Sequence, residues 1–344
     1  YILGLTSPGL VYVGDGENFS RALINNDLNG AEIVFSTNAP VGIDATNFRE
    51  LLAVTPNSDV ETNEQKVGPD TIAKILFTSG STGQPKGVIN SQRMLCSNQQ
   101  AMSQVWTFLD KKPPVTVDWL PWNHTFGGNH NLNMILRSGG TMYIDAGKPA
   151  PGIIEKTVAN LKEISPSIYF NVPRGYDMLI PYFENDPVLR EVFFKDLDII
   201  FYAAAALTQS AWEKLEKLSK QTTGKRVFML SGWGATETSP DCTHVYWPIS
   251  KAGVIGLPIP GTEIKLVPNE EKLEIRVRGP NIMPGYFKNP LLTKEAFDKD
   301  GFYRIGDAAK FADPLDPSKG IVFDGRIAEN FKLSTGTWVS VGSL

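Results

Sequence analysis

Short apolar runs recur along the middle of the chain, and helix-length segments separate them. The runs are rich in β-branched and aromatic residues: Val115–Trp119, Thr141–Ile144, Ser167–Phe170, Ile199–Tyr202 and Val227–Leu230. The segments between them have helical length: Gly128–Arg137, Ile153–Glu163, Arg174–Phe183, Pro187–Phe194 and Thr208–Gln221. This alternation predicts an α/β fold with doubly wound, mainly parallel sheets and crossover helices. Ligands of such sheets bind outside the carboxyl ends of the strands.

The start of the chain has a similar but weaker pattern. Leu10–Val13 and Glu32–Ser36 are predicted strands, and Phe19–Leu28, Asn47–Val54 and Ser91–Phe108 are predicted helices. Asn18 or Ser20 is the candidate cap of the first helix. The polar stretch 57–69 is interpreted as a linker.

After Pro248 the pattern changes to strict alternation in short runs. Glu263–Val267 and Leu273–Val277 flank a Pro-Asn-Glu-Glu turn and predict a hairpin. Further short strands are predicted at 302–304, 310–312 and 321–324. We therefore expect an α/β part over 1–249, a smaller β-rich, barrel-like subdomain over 250–327, and a hinge segment over 328–344.

Composition removes several classes of function. The 344 residues are 42% hydrophobic and 20% charged, with a net charge of −4, so neither a nucleic acid nor an anionic membrane is an expected partner. No apolar run reaches membrane length and no signal peptide is visible, so a cytoplasmic location is expected. Cys96 and Cys242 are interpreted as buried free thiols, and the three scattered histidines predict no metal site; His130 and His244 are interpreted as structural.

The stretch Thr78–Gly87 carries the first chemical signal. It follows the apolar run Ile75–Phe77 and holds three glycines, four hydroxyl residues and one lysine, with no acid. Inward-turned backbone N–H groups, hydroxyls and a lysine make a cradle for phosphate, although a solvent-exposed turn has a similar composition. It is not a Walker loop, because Pro85 precedes the lysine. The candidate binding residues are Thr78, Ser79, Gly80, Ser81, Thr82, Gly83 and Lys86.

The stretch Ser231–Pro240 carries the second. Two glycines, the second being Gly234, flank Trp233, whose ring has a face that can stack on adenine. The hydroxyl of Thr236 can bond a phosphate, and the carboxylate of Glu237 can hold Mg²⁺. The alternative is a strand-to-helix turn with a capping threonine and a first-turn glutamate.

Three further positions follow predicted strands or turns. Asp307 ends Tyr-Arg-Ile-Gly-Asp and can accept two ribose hydroxyls, or is a plain turn residue. His124 lies in Trp-Asn-His-Thr-Phe-Gly-Gly at a strand end, where a lone histidine is more often structural. Ala203–Leu207 is a run of small residues after a strand, which also suits helix N-terminal packing.

Thr-Ser-Gly-Ser-Thr-Gly-Gln-Pro-Lys-Gly closely resembles the phosphate loop of the adenylate-forming superfamily of acyl-CoA synthetases, adenylation domains and luciferases. The resemblance implies that Lys86 steadies the β- and γ-phosphates, that Trp233 replaces the usual tyrosine of Gly-aromatic-Gly-x-Thr-Glu, and that Asp307 holds the ribose. Ala204 and Ala205 correspond to the segment along the adenine, without its usual glycine, and His124 to a gate of the acyl tunnel. In Asp324–Lys332, Arg326 contacts the nucleotide, and Ala328 departs from the usual hinge residue.

Four other stretches are similar to feruloyl-CoA synthetases: Ser91–Gln99, Trp119–Asn129, Tyr169–Pro173 and Phe331–Ser340. This resemblance implies an ATP-dependent acid–CoA ligase for a hydroxycinnamate-like aromatic acid, with ATP, Mg²⁺ and coenzyme A as cofactors. Lys86, Thr236, Glu237 and His124 would be the catalytic residues, with Glu237 on the metal. The alternatives are an adenylating enzyme with another acyl acceptor, and a nucleotide-binding module without turnover.

Both ends of the chain lie in apolar or strand-like sequence. Tyr1 stands inside the apolar stretch Tyr1–Leu5, and the chain stops just after Thr337–Val341. We therefore expect the sequence to be part of a longer protein, with the mobile C-terminal domain of the superfamily missing after the Arg326 segment.

Overall fold

The computed structural model describes residues 1–28, 30–78 and 84–327, together with the backbone of two short strands further on. The chain forms two compact units. The first spans residues 1–68, and the second spans residues 69–78 and the chain from Lys86 onward.

The first unit is a small three-stranded parallel sheet in the order β1-β2-β3 with short helices. Its core consists of Val13, Leu23, Ile33 and Phe35. The elements are α1 Ile2–Thr6, β1 Leu10–Asp15, α2 Gly16–Ile24, β2 Glu32–Thr37, β3 Thr46–Asn47, α3 Phe48–Leu51 and α4 Ser58–Glu64.

Two predictions for this unit, the cap of the first helix and the linker 57–69, are wrong. Asp15 caps α2, because its Oδ1 accepts a hydrogen bond from the Asn18 N–H at 3.0 Å. The helix therefore begins and ends earlier than the predicted 19–28, and Asn18 and Ser20 are not its caps. The predicted linker 57–69 contains α4, which Asn57 caps through the Asp59 N–H.

The second unit contains the alternating strands and helices predicted between residues 115 and 230. Its helices are α5 Gln92–Val105, α6 Asn133–Ser138, α7 Ile154–Glu163, α8 Pro173–Asn185, α9 Pro187–Lys195, α10 Gln209–Thr223 and α11 Pro290–Ala296. Its strands are β4 Ile72–Thr78, β5 Lys86–Ser91, β6 Val115–Asp118, β7 Thr141–Ile144, β8 Ile168–Asn171, β9 Ile199–Tyr202, β10 Phe228–Gly234, β11 Asp241–His244, β12 Val254–Pro258, β13 Glu263–Asn269, β14 Lys272–Arg278, β15 Tyr303–Phe311, β16 Ile321–Arg326, β17 Asn330–Lys332 and β18 Trp338–Ser340.

The main sheet of the second unit is mixed. Nine strands follow the order β13-β14-β15-β16-β12-β11-β10-β9-β8. β8, β9 and β10 are parallel, as predicted, whereas the pairs from β10–β11 to β13–β14 are antiparallel. The β-rich strands therefore continue the parallel sheet through β11 and β12. The predicted strands at 302–304 and 310–312 are one strand, β15.

Large aromatic and aliphatic side chains fill the core on the helical side of this sheet. Tyr169, Tyr176, Phe183, Phe193 and Trp212 are fully buried there. Each of these residues lies in an apolar run or on the apolar side of an amphipathic helix. The bounds of β7 and β9 match the predicted ones. Among the described residues, no helix is both long enough and apolar enough to cross a membrane.

The segment after β6 differs from the predicted single helix 128–137. Phe126–Leu132 is a π-helix that leads into α6. A Cβ on Gly127 would lie 2.5 Å from the Pro121 carbonyl oxygen, and one on Gly128 would lie 2.2 Å from that of Trp122. Both glycines are thus required by the close backbone approach. π-Helices are rare in proteins, and many of those known lie at functional sites.

Candidate nucleotide-binding site

The predicted phosphate loop connects the two strands of an antiparallel hairpin. Thr78 ends β4 and lies directly opposite Lys86, which begins β5. Lys86 therefore belongs to a strand rather than to the loop. Ser79, Gly80, Ser81, Thr82 and Gly83 lie outside the described residues.

The segment 285–287 lies along the free edge of β5. The Ile89 N–H donates to the Gly285 carbonyl at 3.3 Å, and the Phe287 N–H donates to the Gly87 carbonyl at 2.7 Å. This pairing places the Tyr286 ring 5.5 Å from the Nζ of Lys86, within the range of a cation–π contact. Lys86 is thereby connected to a residue that the sequence analysis did not single out.

Tyr286 in turn contacts Glu237. Its hydroxyl donates to Oε1 of Glu237 at 3.1 Å and lies 3.4 Å from the hydroxyl of Tyr303. Burial raises the pKa of both tyrosines, and the nearby charge of Glu237 raises them further, so both hydroxyls stay protonated. The structure thus joins Lys86, Tyr286, Glu237 and Tyr303 in one polar cluster.

A second cluster forms around Asp307. The indole N–H of Trp233 donates to Oδ2 of Asp307 at 3.0 Å, and Nε of Arg326 lies 3.7 Å from Oδ1. Asp307 and Arg326 are direct partners on β15 and β16. A carboxylate can also accept two ribose hydroxyls as a bidentate pair. Three predicted nucleotide-binding residues, from sequence positions 93 residues apart, therefore meet.

The Trp233 ring differs from the expected stacking platform. It is 9% exposed and belongs to a core that includes Val88, Cys242 and Ile275. Its N–H, which a stacking role does not need, is engaged by Asp307.

A tight turn fixes the spacing between Trp233 and Glu237. A Cβ on Gly234 would lie 1.7 Å from the Pro240 carbonyl oxygen, so only glycine fits. The Ala235 N–H donates to that same carbonyl at 3.2 Å, and the Thr238 hydroxyl donates to it as well. Glu237 and the half-buried Thr236 follow in a 3₁₀ turn.

Ala204 and Ala205 follow β9 and are exposed. Tyr202, the last residue of β9, lies opposite Ser231 of β10, so the alanine run and the Trp233 turn leave the sheet from adjacent strands at the same edge. Ala204 has φ +72°, a left-handed conformation that glycine adopts more easily. Backbone strain therefore lies at one of the two alanines assigned to the adenine segment.

The hydrogen bonds of His124 are made within the turn that contains it. Its Nδ1 accepts a hydrogen bond from the Phe126 N–H at 3.2 Å, and its carbonyl accepts one from the Gly128 N–H at 2.8 Å. Partial burial lowers the pKa of the imidazole. These contacts are all local, and none of them joins His124 to the clusters of Asp307 or Glu237.

Two residues of the site were not assigned by sequence reasoning. No motif includes Tyr286, and Tyr303 enters only as the first residue of Tyr-Arg-Ile-Gly-Asp. Tyr286 reaches Glu237 across 49 positions, so no local spacing signals the contact. The strand is irregular between Tyr303 and Asp307, where the pairing register with β14 shifts, so their spacing does not show which face each one takes.

The family model described as AMP-binding enzyme matches residues 1–287. The chain therefore belongs to the AMP-binding enzyme family, and the predicted superfamily and fold class are confirmed. Probable 4-coumarate–CoA ligase 2 of Dictyostelium discoideum is 31% identical over 243 residues, which cover 68% of this chain and 42% of the relative. The chain thus spans less than half the length of that curated relative.

Solved structures extend the likeness over the whole chain. A malonyl-CoA ligase ternary product complex with methylmalonyl-CoA and AMP bound has 26% identity and a TM-score of 0.68, covering 99% of this chain and 66% of that one. The anthranilate CoA ligase AuaEII, in complex with anthranoyl-AMP, has 20% identity and a TM-score of 0.77, covering 100% and 63% respectively. The latter likeness concerns the fold alone.

The names of these proteins cover aromatic and aliphatic acids. The predicted closeness to feruloyl-CoA synthetases is finer than the family match and stays a prediction.

Proposed function

We propose that the protein to which this chain belongs is an ATP-dependent acid–CoA ligase. The carboxylate of the acid attacks the α-phosphate of ATP, forming an acyl-adenylate and releasing pyrophosphate. The thiol of coenzyme A then attacks the acyl carbon and displaces AMP. The substrate and cofactor names of the relatives support this reaction, and the site residues below would carry it.

One observation carries the proposal: the turn 233–237 is joined to the strand 303–307 at two points, directly by Trp233 with Asp307, and through Tyr286 from Glu237 to Tyr303. One contact supplies a carboxylate suited to ribose, and the other supplies a carboxylate and a cation suited to a polyphosphate. A nucleoside triphosphate presents both chemistries in one molecule.

The roles of the chain's own residues follow from their chemistry. Asp307 and Arg326 would orient the ribose, and Lys86 would hold the β- and γ-phosphates. Thr236 would hydrogen-bond the phosphate at which the acid attacks. Catalysis would consist of positioning and charge stabilisation, with no covalent nucleophile. We also propose that Ala204 and Ala205 flank the adenine.

The residues present also fit Mg²⁺. Glu237 has one oxygen held by Tyr286, which orients the carboxylate, and carboxylate and phosphate oxygens are the ligands that Mg²⁺ prefers. When bound, the ion would neutralise phosphate charge. Tyr286, which stays protonated, would keep Glu237 in place.

For the acid we propose a hydroxycinnamate-like aromatic compound, with His124 at the entrance to the acyl site. The similarity to 4-coumarate–CoA ligases and the stretches shared with feruloyl-CoA synthetases support this choice. The similarity to a malonyl-CoA ligase makes a small aliphatic acid the outcome to test against.

Binding of non-hydrolysable acyl-sulfamoyl adenosine analogues tests both statements without requiring turnover. Calorimetry should give binding of the feruloyl analogue, weaker binding of the malonyl and palmitoyl analogues, and loss of all three in Asp307→Ala. Glu271→Gln, a charge change in the exposed turn of the β13–β14 hairpin, is the matched control. Failure of the folded chain to bind AMP or any analogue contradicts the nucleotide site; a preference for another acyl group contradicts only the acid.

Hydroxamate formation from acid, ATP and hydroxylamine measures adenylate formation and needs no coenzyme A. A separate assay with acid, ATP and coenzyme A measures acyl-CoA formation and identifies the acceptor. Adenylate formation without any acyl-CoA product would favour an adenylating enzyme with a different acceptor.

A further inference from the structure

Two histidines and an aspartate, contributed by two elements, meet in the core of the second unit. Nε2 of His244 lies 2.9 Å from Oδ2 of Asp241, and Nε2 of His130 lies 3.4 Å from the same oxygen. All three side chains are at least nine-tenths buried. His130 belongs to the π-helix, and Asp241 and His244 are the first and last residues of β11.

The hydrogen bonds around His130 fix its tautomer. Nδ2 of Asn131 donates to Asp118 Oδ2 at 2.7 Å, which leaves Asn131 Oδ1 to accept from Nδ1 of His130, also at 2.7 Å. Nδ1 therefore carries the proton, and Nε2 of a neutral His130 presents a lone pair to the carboxylate of Asp241.

The short contacts among the three atoms are poorly directed as hydrogen bonds. His130 Nε2, His244 Nε2 and Asp241 Oδ2 approach one another, yet none has a hydrogen-bond partner of acceptable direction among the described residues. A buried imidazole lone pair that faces a carboxylate is costly unless a proton or a metal cation lies between them.

The surroundings reinforce this need for a cation. Phe201 lies 5.3 Å from the His130 ring and 5.5 Å from the His244 ring, and the Trp106 ring lies 4.9 Å from His244. Nearby on α5, Gln99 donates to the carbonyl of His130 at 3.3 Å, while its own Oε1 has no partner. Within the described part of the chain, the polar atoms without a partner near the cluster thus include Gln99 Oε1 and the indole N–H of Trp106, in an otherwise apolar environment.

We propose that His130, Asp241 and His244 bind a divalent transition-metal ion of the Zn²⁺ class. Two imidazoles and one carboxylate suit Zn²⁺ better than Mg²⁺ or Ca²⁺, which prefer oxygen ligands. Ligands about 2.0–2.2 Å from Zn²⁺ lie about 3.3–3.5 Å apart in tetrahedral geometry. The observed 3.4 Å agrees with that spacing, and the 2.9 Å contact requires an outward shift of a few tenths of an ångström.

The contact from His130 through Asn131 to Asp118 matches the outer shell of known metal sites, where a ligating histidine donates its other N–H to a carbonyl or carboxylate. The ion would tie the π-helix to β11. It would also steady the turn that carries Glu237, because Asp241 directly follows that turn.

The test uses the full chain with a histidine-free affinity tag, produced in medium supplemented with Zn²⁺, since the buried site would load during folding. Elemental mass spectrometry should find about one zinc per chain. After removal of zinc by chelation, Co²⁺ should give the visible absorption bands of a low-symmetry, nitrogen-ligated site, and Mg²⁺ should not compete.

Variants identify the ligands. Asp241→Asn and His244→Gln should weaken zinc affinity at least about 100-fold, beyond the 10–100-fold typical of outer-shell changes. His124→Gln, a change at the exposed histidine, should keep full binding. Circular dichroism confirms that each variant is folded, and added zinc should raise the Tm of the wild type but not of Asp241→Asn.

If the variants of the buried residues fail to fold, metal binding by the wild type alone tests the proposal. Folded wild type that holds no zinc above background and gives no Co²⁺ spectrum overturns the proposal, and the cluster is then a proton-sharing network. Binding that disappears in His124→Gln but persists in Asp241→Asn also overturns it.

Discussion

The hydrogen bond between Trp233 and Asp307 can be removed while an aromatic ring is kept. Trp233→Phe leaves a ring in the core but no N–H for Oδ2 of Asp307, which now accepts at 3.0 Å. Hydrogen bonds to charged groups contribute about 1.5–3 kcal/mol. Asp307 is 14% exposed and Arg326 stays 3.7 Å from its other oxygen, so we expect the lower value. That corresponds to about tenfold weaker nucleotide binding.

Calorimetry with ATP and AMP measures the loss. Both nucleotides carry the ribose assigned to Asp307, so both should weaken by the same factor. Trp233→Tyr distinguishes the two roles of the ring: if only its face mattered, tyrosine would restore binding. We expect tyrosine to be as weak as phenylalanine, because its hydroxyl lies at a different position from the indole N–H.

A double-mutant cycle shows whether Trp233 acts through Asp307. In the Asp307→Ala background, Trp233→Phe should have little further effect on nucleotide affinity, since the accepting carboxylate is absent. Chemical denaturation of each variant separates lost core packing from lost binding. Wild-type affinity in the phenylalanine and tyrosine variants would refute the reasoning, as would an undiminished effect of Trp233→Phe when Asp307 is alanine.

Three further predictions concern single side chains. Lys86→Ala should weaken ATP far more than AMP in calorimetry, with Lys299→Ala as the exposed control; equal losses would contradict its phosphate role. Tyr286→Phe should raise the Mg²⁺ concentration that ATP binding requires and leave AMP affinity unchanged, because Glu237 loses its donor; an unchanged Mg²⁺ dependence would contradict this. Burial raises the pKa of Asp118 to about 6, so its carboxyl contributes most to stability below its ordinary pKa of 3.8, and this contribution is lost as pH rises through about 6. Between pH 4 and 7, the wild type should lose about 3 kcal/mol of unfolding free energy relative to Asp118→Asn; a constant difference in urea denaturation would show that Asp118 does not titrate there.

The apolar pattern predicts the parallel part of the fold well, because buried strands and amphipathic helices each impose a local period. β9 and β7 lie where their β-branched and aromatic runs place them. The apolar pattern does not predict which of several nearby polar residues caps a helix. Asp15, rather than Asn18 or Ser20, caps α2. Cys96 is exposed although it was interpreted as buried, since a single small residue carries little periodic information.

Contacts between distant segments are the part that sequence reasoning could not supply. The sequence identifies the motifs around Trp233 and Asp307 separately. It does not indicate that the indole N–H of Trp233 joins them. His130 and His244 are 114 positions apart in the sequence, which is why they were interpreted as isolated structural residues. The π-helix and β11 bring their ring centroids to 5.7 Å from each other. Register between strands creates such pairs, and register is set by the whole sheet.

The turn that carries Trp233 and Glu237 contributes to both halves of the nucleotide site. Trp233 donates to Asp307 on β15, and Glu237 accepts from Tyr286 in the segment that pairs with β5. Gly234 lies against the Pro240 carbonyl oxygen, which leaves no room for a side chain at that position. A side chain there would push the turn away from Pro240 and displace both contacts at once. Ribose recognition and the orientation of Glu237 are therefore coupled through this turn.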